Sequence, residues 1–310
     1  MEQFNDFGPM AGFGARRPFV TWGVFDGVHL GHQAILGELV GWARAVGGTP
    51  TAITFADHPR HVLERRTVPY IVTLMHRRAL LERHGLAACL TLRFDETFSV
   101  TPAEEFFHRD LVGTLGVRGI VLGAGATFGR GREGTLLRLR QWGAVAGVEV
   151  REVVPIELPG GTISSSAIRQ AIATGDLESA ARMLGRPFTV MGPVVHGDHR
   201  GRALGFPTAN LDLPGLLLPP AGVWACRVSI DGRVHDALTN IGVRPTFASA
   251  GAPAPVVETH VVDFAGDLYD RELEVEFRFL LREERKFSGA EALVAQIRRD
   301  REALLARRDG

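Results

Sequence analysis

A strand, a glycine-containing turn and a helix follow one another near the start of the chain and lead into a second strand. Residues 19–25 (FVTWGVF) have a buried-strand pattern, residues 33–46 have an amphipathic helical pattern, and residues 49–55 form a second apolar strand. Two strands joined by a helix in this way lie parallel, with a right-handed crossover. Strands and helices continue to alternate, so the sequence predicts an open, mainly parallel α/β sheet up to about residue 185.

The pattern changes in the second part of the chain. Residues 224–230 and 273–279 alternate between apolar and polar side chains, and an Asp-Gly pair at 231–232 is a hairpin turn signal. Proline and glycine are frequent between these strands, which is typical of small antiparallel β domains. We therefore predict an antiparallel β-barrel followed by a terminal helix at about residues 289–306.

Composition limits the functions that these domains can have. The chain has 35 Lys plus Arg and 35 Asp plus Glu, and this zero formal net charge argues against a general nucleic-acid or anionic-membrane binder. The two cysteines, Cys89 and Cys226, are too few for a disulfide framework or a cysteine-based zinc site and fit a reducing compartment. No apolar run is long enough to predict a transmembrane helix. We expect a cytoplasmic protein with small-molecule partners, no nucleic acid and no membrane; the sequence leaves an oligomer open.

The turn after the first strand is a candidate phosphate site. A strand that ends in such a turn points backbone N–H groups and the positive end of the next helix at an anion. His29 and His32 can face one site and donate hydrogen bonds to charge that develops on a phosphate. The alternative interpretation is a pair of surface histidines at a helix cap. The other candidate residues of this turn are Gly23, Phe25, Asp26, Gly27 and Gly31.

This turn resembles a known signature. Its HxGH pattern is similar to that of the nucleotidyltransferase superfamily, which splits a nucleoside triphosphate between the α- and β-phosphates. The segment ISSSAIR at 163–169 resembles the second phosphate motif of that superfamily. The resemblance implies a Rossmann-like fold, with Ser165, Ser166 and Arg169 as phosphate ligands at a helix start. A plain serine N-cap is the alternative for this segment.

A second constellation lies in the β-rich part, at residues 196–211 (HGDHRGRALGFPTANL). Its glycines give a loop that can fold over phosphates, although it lacks the GKS or GKT of a Walker loop. The side chains of Thr208 and Asn210 offer oxygen atoms that suit Mg²⁺. A glycine-rich β-turn without this function is the alternative. The candidate phosphate-binding residues of the loop are Gly197, Arg200, Gly201, Arg202, Gly205, Pro207, Thr208 and Asn210.

Three further segments, at 219–228, 240–247 and 258–273, together with this loop resemble the riboflavin kinase domain. With the N-terminal half included, nearly all of the chain after Pro18 resembles the bacterial bifunctional riboflavin kinase/FAD synthetase family. The resemblance implies two ATP-dependent steps, in which riboflavin is phosphorylated to FMN and FMN is then adenylylated to FAD with release of pyrophosphate.

The resemblance also implies that each part of the chain catalyses one of the two reactions. Residues 18–185 would be the FMN adenylyltransferase domain and residues 186–310 the riboflavin kinase domain, after a flexible tail at 1–17. Glu258 would accept the proton of the ribityl hydroxyl, while Thr208 and Asn210 would hold Mg²⁺-ATP. A glutamate between apolar neighbours is expected to be partly buried, in an environment that suits a general base. The alternative is a glutamate on the polar face of a strand.

Four positions depart from the family pattern. Ala56 replaces an acidic residue, Gly125 replaces Asp or Asn, Ala126 replaces Phe, and Ala167 replaces Arg. We expect these positions to lie where the purine or the flavin binds, and a hydrogen bond lost at a buried partner costs about 1–3 kcal/mol. A bifunctional enzyme is therefore the leading interpretation, and a riboflavin kinase with a weakened adenylyltransferase domain is the first alternative. A non-catalytic flavin- or nucleotide-binding module and a cytidylyltransferase are the others.

Overall fold

The computed structural model divides the chain into two compact units. The first unit comprises residues 1–69 and 77–164, and the second comprises residues 70–76 and 165–310. The residues that the structure describes are 1–159, 161–197, 201, 204–243 and 255–307. Within these ranges, no helix is both long enough and apolar enough to cross a membrane.

A parallel sheet forms the centre of the first unit. Among the described residues it has six strands in the order β1-β4-β3-β2-β5-β8, and every neighbouring pair is parallel. This confirms the predicted α/β class. The strands of the unit are β1 (Glu2–Phe4), β2 (Pro18–Trp22), β3 (Thr49–Phe55), β4 (Ala88–Leu92), β5 (Gly119–Gly123), β6 (Thr127–Phe128), β7 (Gly134–Thr135), β8 (Glu149–Val153), β9 (Glu157–Leu158) and β10 (Gly161–Thr162).

Helices connect these strands. The sequence pattern did not predict α6, whose buried positions are only Leu136, Leu139 and Gly143 and give a narrow apolar face. The α-helices are α1 (Leu30–Ala45), α2 (Pro59–Leu63), α3 (Leu74–Arg83), α4 (Glu96–Ser99), α5 (Ala103–Glu105) and α6 (Leu136–Ala146). A π-helical stretch, Phe106–Thr114, continues α5, and 3₁₀ turns occur at Gly8–Met10, Phe13–Arg16 and Arg130–Arg132.

The first residues differ from the flexible tail expected at 1–17. Strand β1 pairs in parallel with β4 at the edge of the sheet. Met10 and Phe13 are buried in the main core of the unit, and the Phe13 ring meets the edge of the Phe4 ring at a centroid distance of 5.7 Å. Isolated aromatic residues anchor this segment. Because they have no regular spacing, the pattern in the sequence did not reveal it.

The second unit contains the predicted barrel. Among the described residues it closes in the order β11-β12-β15-β14-β13-β16, with antiparallel neighbours throughout. Helix α9 contributes Leu304 to an apolar cluster with Val223 and Leu238 of the barrel. The elements are α7 (Ser165–Thr174), α8 (Leu177–Leu184), β11 (Thr189–Val195), β12 (Ala209–Leu211), β13 (Gly222–Ile230), β14 (Arg233–Val243), β15 (Pro255–Val261), β16 (Glu272–Arg282) and α9 (Ala290–Ala306).

The limits of the compact units differ from the boundary expected near residue 185, because residues 70–76 and helices α7 and α8 group with the barrel. The Thr73 hydroxyl donates to the Met191 carbonyl at 3.0 Å, and the Tyr70 N–H donates to the Gly215 carbonyl at 2.9 Å. These partners lie far apart along the chain, so local patterns could not predict the contacts.

Candidate functional site

The turn between β2 and α1 has a strained backbone. Phe25, Gly27 and Val28 have φ angles of +49°, +83° and +41°. For a β-branched residue such as Val28 this conformation is rare, and it costs about 1–3 kcal/mol. The side chains of Phe25 and Val28 are buried, and the Gln33 amide donates to the Val28 carbonyl at 2.9 Å. Packing therefore holds the turn in a strained form, a feature that clusters at binding and catalytic sites.

The two histidines predicted for this turn lie against each other. His29 is the N-cap of α1, and its Nδ1 accepts the His32 backbone N–H at 3.4 Å. The two imidazole rings stack with centroids 3.6 Å apart, and the Phe25 ring meets the His32 ring edge-on at 5.3 Å. A Cβ atom at Gly31 would lie 3.2 Å from Cε1 of His29. Glycine at this position therefore allows the rings to stack at the start of the helix.

The environment of His32 favours its neutral form. Desolvation is the largest cause that lowers the pKa of His32 well below its ordinary value, and the charges of His29 and Arg77 lower that pKa further. A neutral imidazole has one N–H donor and one acceptor. The Nδ1 atom of His32 is buried and has no hydrogen-bond partner among the residues that the structure describes.

The sequence did not single out Arg77. Its side chain is fully buried in the first unit, which is uncommon for arginine. One guanidinium nitrogen donates to the Thr54 hydroxyl at 3.1 Å and to the Phe55 carbonyl at 2.8 Å. No pattern in the sequence distinguishes Arg77 from the exposed arginines of the chain, because its burial depends on how α3 packs.

The remaining residues of the predicted nucleotide site lie in two places. Gly23 donates its N–H to the Ile53 carbonyl at 3.1 Å, and Asp26 is buried in the turn. Ser165, Ser166 and Arg169 lie in the first turns of α7, which belongs to the second unit. Helix α7 starts at Ser165, and a phosphate-binding role for these three residues stays a prediction.

Three of the four altered positions follow the carboxyl ends of sheet strands, where ligands bind in open parallel sheets. Ala56 follows β3 and donates its N–H to the Leu92 carbonyl at 2.8 Å. Gly125 and Ala126 follow β5, and Ala126 packs against the core. Ala167 lies in α7. That these four positions border a bound base or flavin stays a prediction.

A cavity of about 490 Å³ opens in the second unit beside β12 and β15. Three of the predicted residues, Pro207, Thr208 and Asn210, line it together with residues 264–269. Sequence reasoning did not assign a role to residues 264–269. The volume lies in the range of small-molecule sites.

Asn210 is the most enclosed of the predicted metal ligands. Its Oδ1 atom is buried and has no hydrogen-bond partner among the described residues. A Cβ atom at Gly197 would lie 2.4 Å from Nδ2 of Asn210, so glycine lets the backbone pass close to this amide. A Cβ atom at Gly201 would lie 2.4 Å from the Phe206 carbonyl oxygen and 3.3 Å from the Thr208 hydroxyl, and Gly205 lies on the exposed part of the loop. Arg200 and Arg202 lie outside the described residues.

Glu258 lies between two asparagines in the barrel sheet. It pairs with Asn210 across β12–β15 and with Asn240 across β14–β15. Directly paired residues place their side chains on the same face, with Cβ atoms about 4.5–5.5 Å apart. Glu258 is half-buried, as expected, while its neighbours Val257 and Thr259 are buried. Asn240 was not predicted, because only the strand register places it beside Glu258.

Comparisons with known proteins cover both units. Residues 15–167 match the model of the FAD synthetase family, and residues 184–307 match the riboflavin kinase family. A relative from Pseudomonas fluorescens is 40% identical over 280 residues, which cover 90% of this chain and 89% of the relative. A relative from Bacillus subtilis is 36% identical over 284 residues, which cover 90% of this chain and 89% of the relative. Both are described as bifunctional riboflavin kinase/FMN adenylyltransferase.

A solved structure has a similar fold over most of its length. It is a crystal structure from Streptococcus pneumoniae, described as a macrolide-efflux protein, with a TM-score of 0.77 and 31% sequence identity. The match covers 93% of this chain and 93% of that one. The arrangement of a parallel sheet followed by a barrel therefore occurs in a solved structure.

Proposed function

The chain belongs to the bifunctional riboflavin kinase/FMN adenylyltransferase family, and from that premise we propose which of its residues carry out each reaction. It phosphorylates riboflavin to FMN and adenylylates FMN to FAD, with ATP as the second substrate of both steps. The observation that carries the assignment is that one chain holds both a histidine pair at a helix start and a carboxylate between two amides in the barrel sheet. We propose residues 18–185 and 186–310 as the two catalytic domains.

In the kinase reaction, the 5′-hydroxyl of riboflavin attacks the γ-phosphorus of ATP. The new bond joins the hydroxyl oxygen to phosphorus, the bond to the β–γ bridging oxygen breaks, and ADP leaves. Glu258 accepts the proton that the hydroxyl loses. Asn210, which lines the cavity, and Asn240 flank this carboxylate in the strand register.

The residues of this site fit a magnesium ion. Thr208 and Asn210 offer a hydroxyl and an amide oxygen, the hard ligands that Mg²⁺ prefers, and Oδ1 of Asn210 is a buried acceptor with no partner among the described residues. No cluster of three or more His, Cys, Asp or Glu that could hold a metal ion occurs within the described part of the chain. When bound, Mg²⁺ neutralises charge on the transferred phosphates.

In the adenylyl transfer, a phosphate oxygen of FMN attacks the α-phosphorus of ATP and pyrophosphate leaves. FMN supplies its own nucleophile, so no nucleophilic side chain is needed. His29 and His32 donate hydrogen bonds to the charge that develops at the α-phosphate, and the N-terminus of α1 adds its positive end. Ser166 and Arg169 bind phosphate oxygens of the triphosphate. Gly23, Phe25, Asp26, Gly27, Gly31 and Ser165 complete the proposed set around the nucleotide.

The alternative of a kinase with a disabled first domain is not favoured. The segment that matches the FAD synthetase family, 15–167, includes Ala56, Gly125, Ala126 and Ala167. The histidine pair and its strained turn are also intact. The four departures then bear on the rate or selectivity of adenylyl transfer, since they border the ligand and leave the phosphate site unchanged.

We further propose a cytoplasmic location and small-molecule partners only. Both cysteines, Cys89 and Cys226, are free and buried, which fits a reducing compartment. The zero formal net charge supports the absence of a nucleic-acid partner.

A product assay on flavin-stripped protein tests the assignment. Riboflavin with Mg-ATP is incubated in one reaction and FMN with Mg-ATP in another, and the flavins are separated by chromatography over time. We expect FMN and then FAD from riboflavin, and FAD from FMN. Accumulation of FMN without any FAD would leave a riboflavin kinase whose first domain has lost adenylyl transfer.

A further inference from the structure

A hydrogen-bonded connection joins α3 to the turn that carries the histidines. The Arg77 guanidinium donates to the Thr54 hydroxyl at 3.1 Å, and that hydroxyl donates to the Val24 carbonyl at 3.2 Å. The same guanidinium donates to the Phe55 carbonyl at the end of β3. Arg77 therefore binds the end of one central strand directly and reaches the start of the histidine turn through a single hydroxyl.

The position of this charge is unusual. Arginine is almost never fully buried, because removing its charge from water is costly unless its hydrogen bonds and surroundings compensate. Arg77 is fully buried, and its guanidinium donates to the Thr54 hydroxyl and the Phe55 carbonyl. Its positive charge also acts on His32.

We propose that Arg77 is a positioning residue for adenylyl transfer, which fixes the histidine turn through Thr54 and places a permanent positive charge behind the phosphate site. This proposal rests on the function assigned to the turn. It adds a role for the buried cation of α3, whose side chain is connected to the turn through Thr54. The hydrogen bonds and the charge of Arg77 can be tested separately, because a neutral side chain can donate hydrogen bonds without carrying a charge.

The charge has a specific consequence for His32. The groups that act on its protonation are His29 and Arg77, and Asp26 is buried in the same turn. A fixed positive charge disfavours the imidazolium, so loss of Arg77 raises the pKa of His32. The His32 ring stays desolvated in a variant without Arg77, so its pKa remains below the ordinary value.

The test compares three variants of the full chain. Arg77→Met removes charge and hydrogen bonds, whereas Arg77→Lys keeps the charge. Arg78→Met is the matched control, because Arg78 lies next on the same helix but donates to Thr91 and Asn5. Each is assayed for FAD formation from FMN and for FMN formation from riboflavin, which reports whether the protein is folded. The histidine Cε1–Hε1 resonances are followed by NMR against pH, with His32 assigned from its own His32→Gln variant.

We expect Arg77→Met to lower kcat/KM for FAD formation by about 10- to 100-fold, the cost of misplacing reacting groups, with kinase activity retained. The His32 resonance should titrate at a higher pH in Arg77→Met and close to the parent in Arg77→Lys and Arg78→Met. An unchanged rate, an unmoved His32 titration, or an equal loss in Arg78→Met would overturn the proposal. If Arg77→Met also loses kinase activity, Arg77→Gln is used in its place, because glutamine keeps N–H donors without the charge.

Failure of the assigned function gives a different result. A parent protein that makes no FAD from FMN contradicts the adenylyl transfer itself. In that case the His32 titration in the same variants still decides whether the Arg77 charge acts on the turn.

Discussion

The two proposed phosphate sites of this chain are built in opposite ways. The site in the parallel sheet depends on packing, with strained backbone at Phe25 and Val28, stacked imidazoles and a buried arginine connected to the turn through Thr54. The site in the barrel depends on strand register, which places Glu258 between Asn210 and Asn240. The first site is a preorganised set of hydrogen-bond donors, and the second is a proton acceptor placed by the pairing of strands.

This difference predicts how each site responds to change. In the sheet, small changes of volume move the rings that donate hydrogen bonds, and charge acts through a desolvated environment. In the barrel, loss of one functional group removes its own contribution and leaves the neighbouring strands paired. Substitutions in one site should spare the other reaction, so each variant carries an internal control for folding.

The largest expected effect comes from the proposed base in the barrel. Glu258→Gln keeps the shape of the side chain but cannot accept the ribityl proton, so FMN formation should fall by about 10²- to 10⁴-fold. FAD formation from supplied FMN should be unchanged. Initial rates of both reactions on the same preparation measure this. An equal loss of both reactions would break the separation between the two sites.

The reciprocal variant removes the histidine pair. His29→Ala combined with His32→Ala should lower FAD formation from FMN by about 10²- to 10³-fold, as for loss of a hydrogen-bond donor to a developing oxyanion. FMN formation from riboflavin should remain at the parent rate. Single-turnover assays with each substrate check both. Normal FAD formation would show that the pair does not contact the α-phosphate.

A smaller substitution tests whether FAD formation depends on the packing of the two histidine rings. Gly31→Ala places a methyl group 3.2 Å from the His29 ring, so the stack must shift by a few tenths of an ångström. We expect FAD formation to fall by about 3- to 10-fold, since small displacements of reacting groups are costly. Gly37→Ala is the matched control in the same helix, because nothing lies within 4 Å of the added Cβ. A similar loss in both variants would point to the helix rather than to the ring stack.

In the barrel, the corresponding small change is Asn240→Ala. A cross-strand pair contributes about 0.2–1 kcal/mol, which corresponds to a loss of about 1.4- to 5-fold in FMN formation. FAD formation from FMN should not change. Steady-state kinetics with riboflavin as the variable substrate measure the effect. A loss as large as that of Glu258→Gln would mean that Asn240 takes part directly in the reaction.

Stability against pH sharpens the comparison further. The folded protein holds the pKa of His32 well below its ordinary value of about 6.5, so the unfolded chain binds a proton more readily. The stabilisation from neutral His32 is fully present above about pH 6.5 and is lost as the pH falls toward the folded pKa. Denaturant titrations of the parent and of His32→Gln, at a series of pH values, should show a weaker pH dependence in the variant. If the free energy of unfolding depends on pH equally in both proteins, the pKa of His32 is not lowered in the folded state.

Local patterns predicted much of the fold. Strand β3 has the limits expected from its apolar run, residues 49–55. Alternation identified the barrel strands, and the HxGH spacing identified the histidine pair. These predictions succeed because each feature depends only on residues that are close in sequence, within one or two helical turns or a few strand positions.

The features that were not predicted depend on distant contacts. Burial of Arg77 requires α3 to pack beside the end of β3, and Asn240 meets Glu258 only through the barrel register. The segment around Thr73 bonds to Met191 across 118 positions of sequence. Edge strand β1 is too short to have a period. Such contacts arise from the tertiary fold and have no local signature.

Mixing the two disabled variants tests the claim of two independent sites most directly. Glu258→Gln alone should leave riboflavin unconverted, and the His29→Ala, His32→Ala protein alone should stop at FMN. With Mg-ATP, the mixture should convert riboflavin to FAD, because FMN released by one protein is adenylylated by the other. If the mixture yields no FAD although both proteins are folded, the two reactions do not take place at separate, independently working sites.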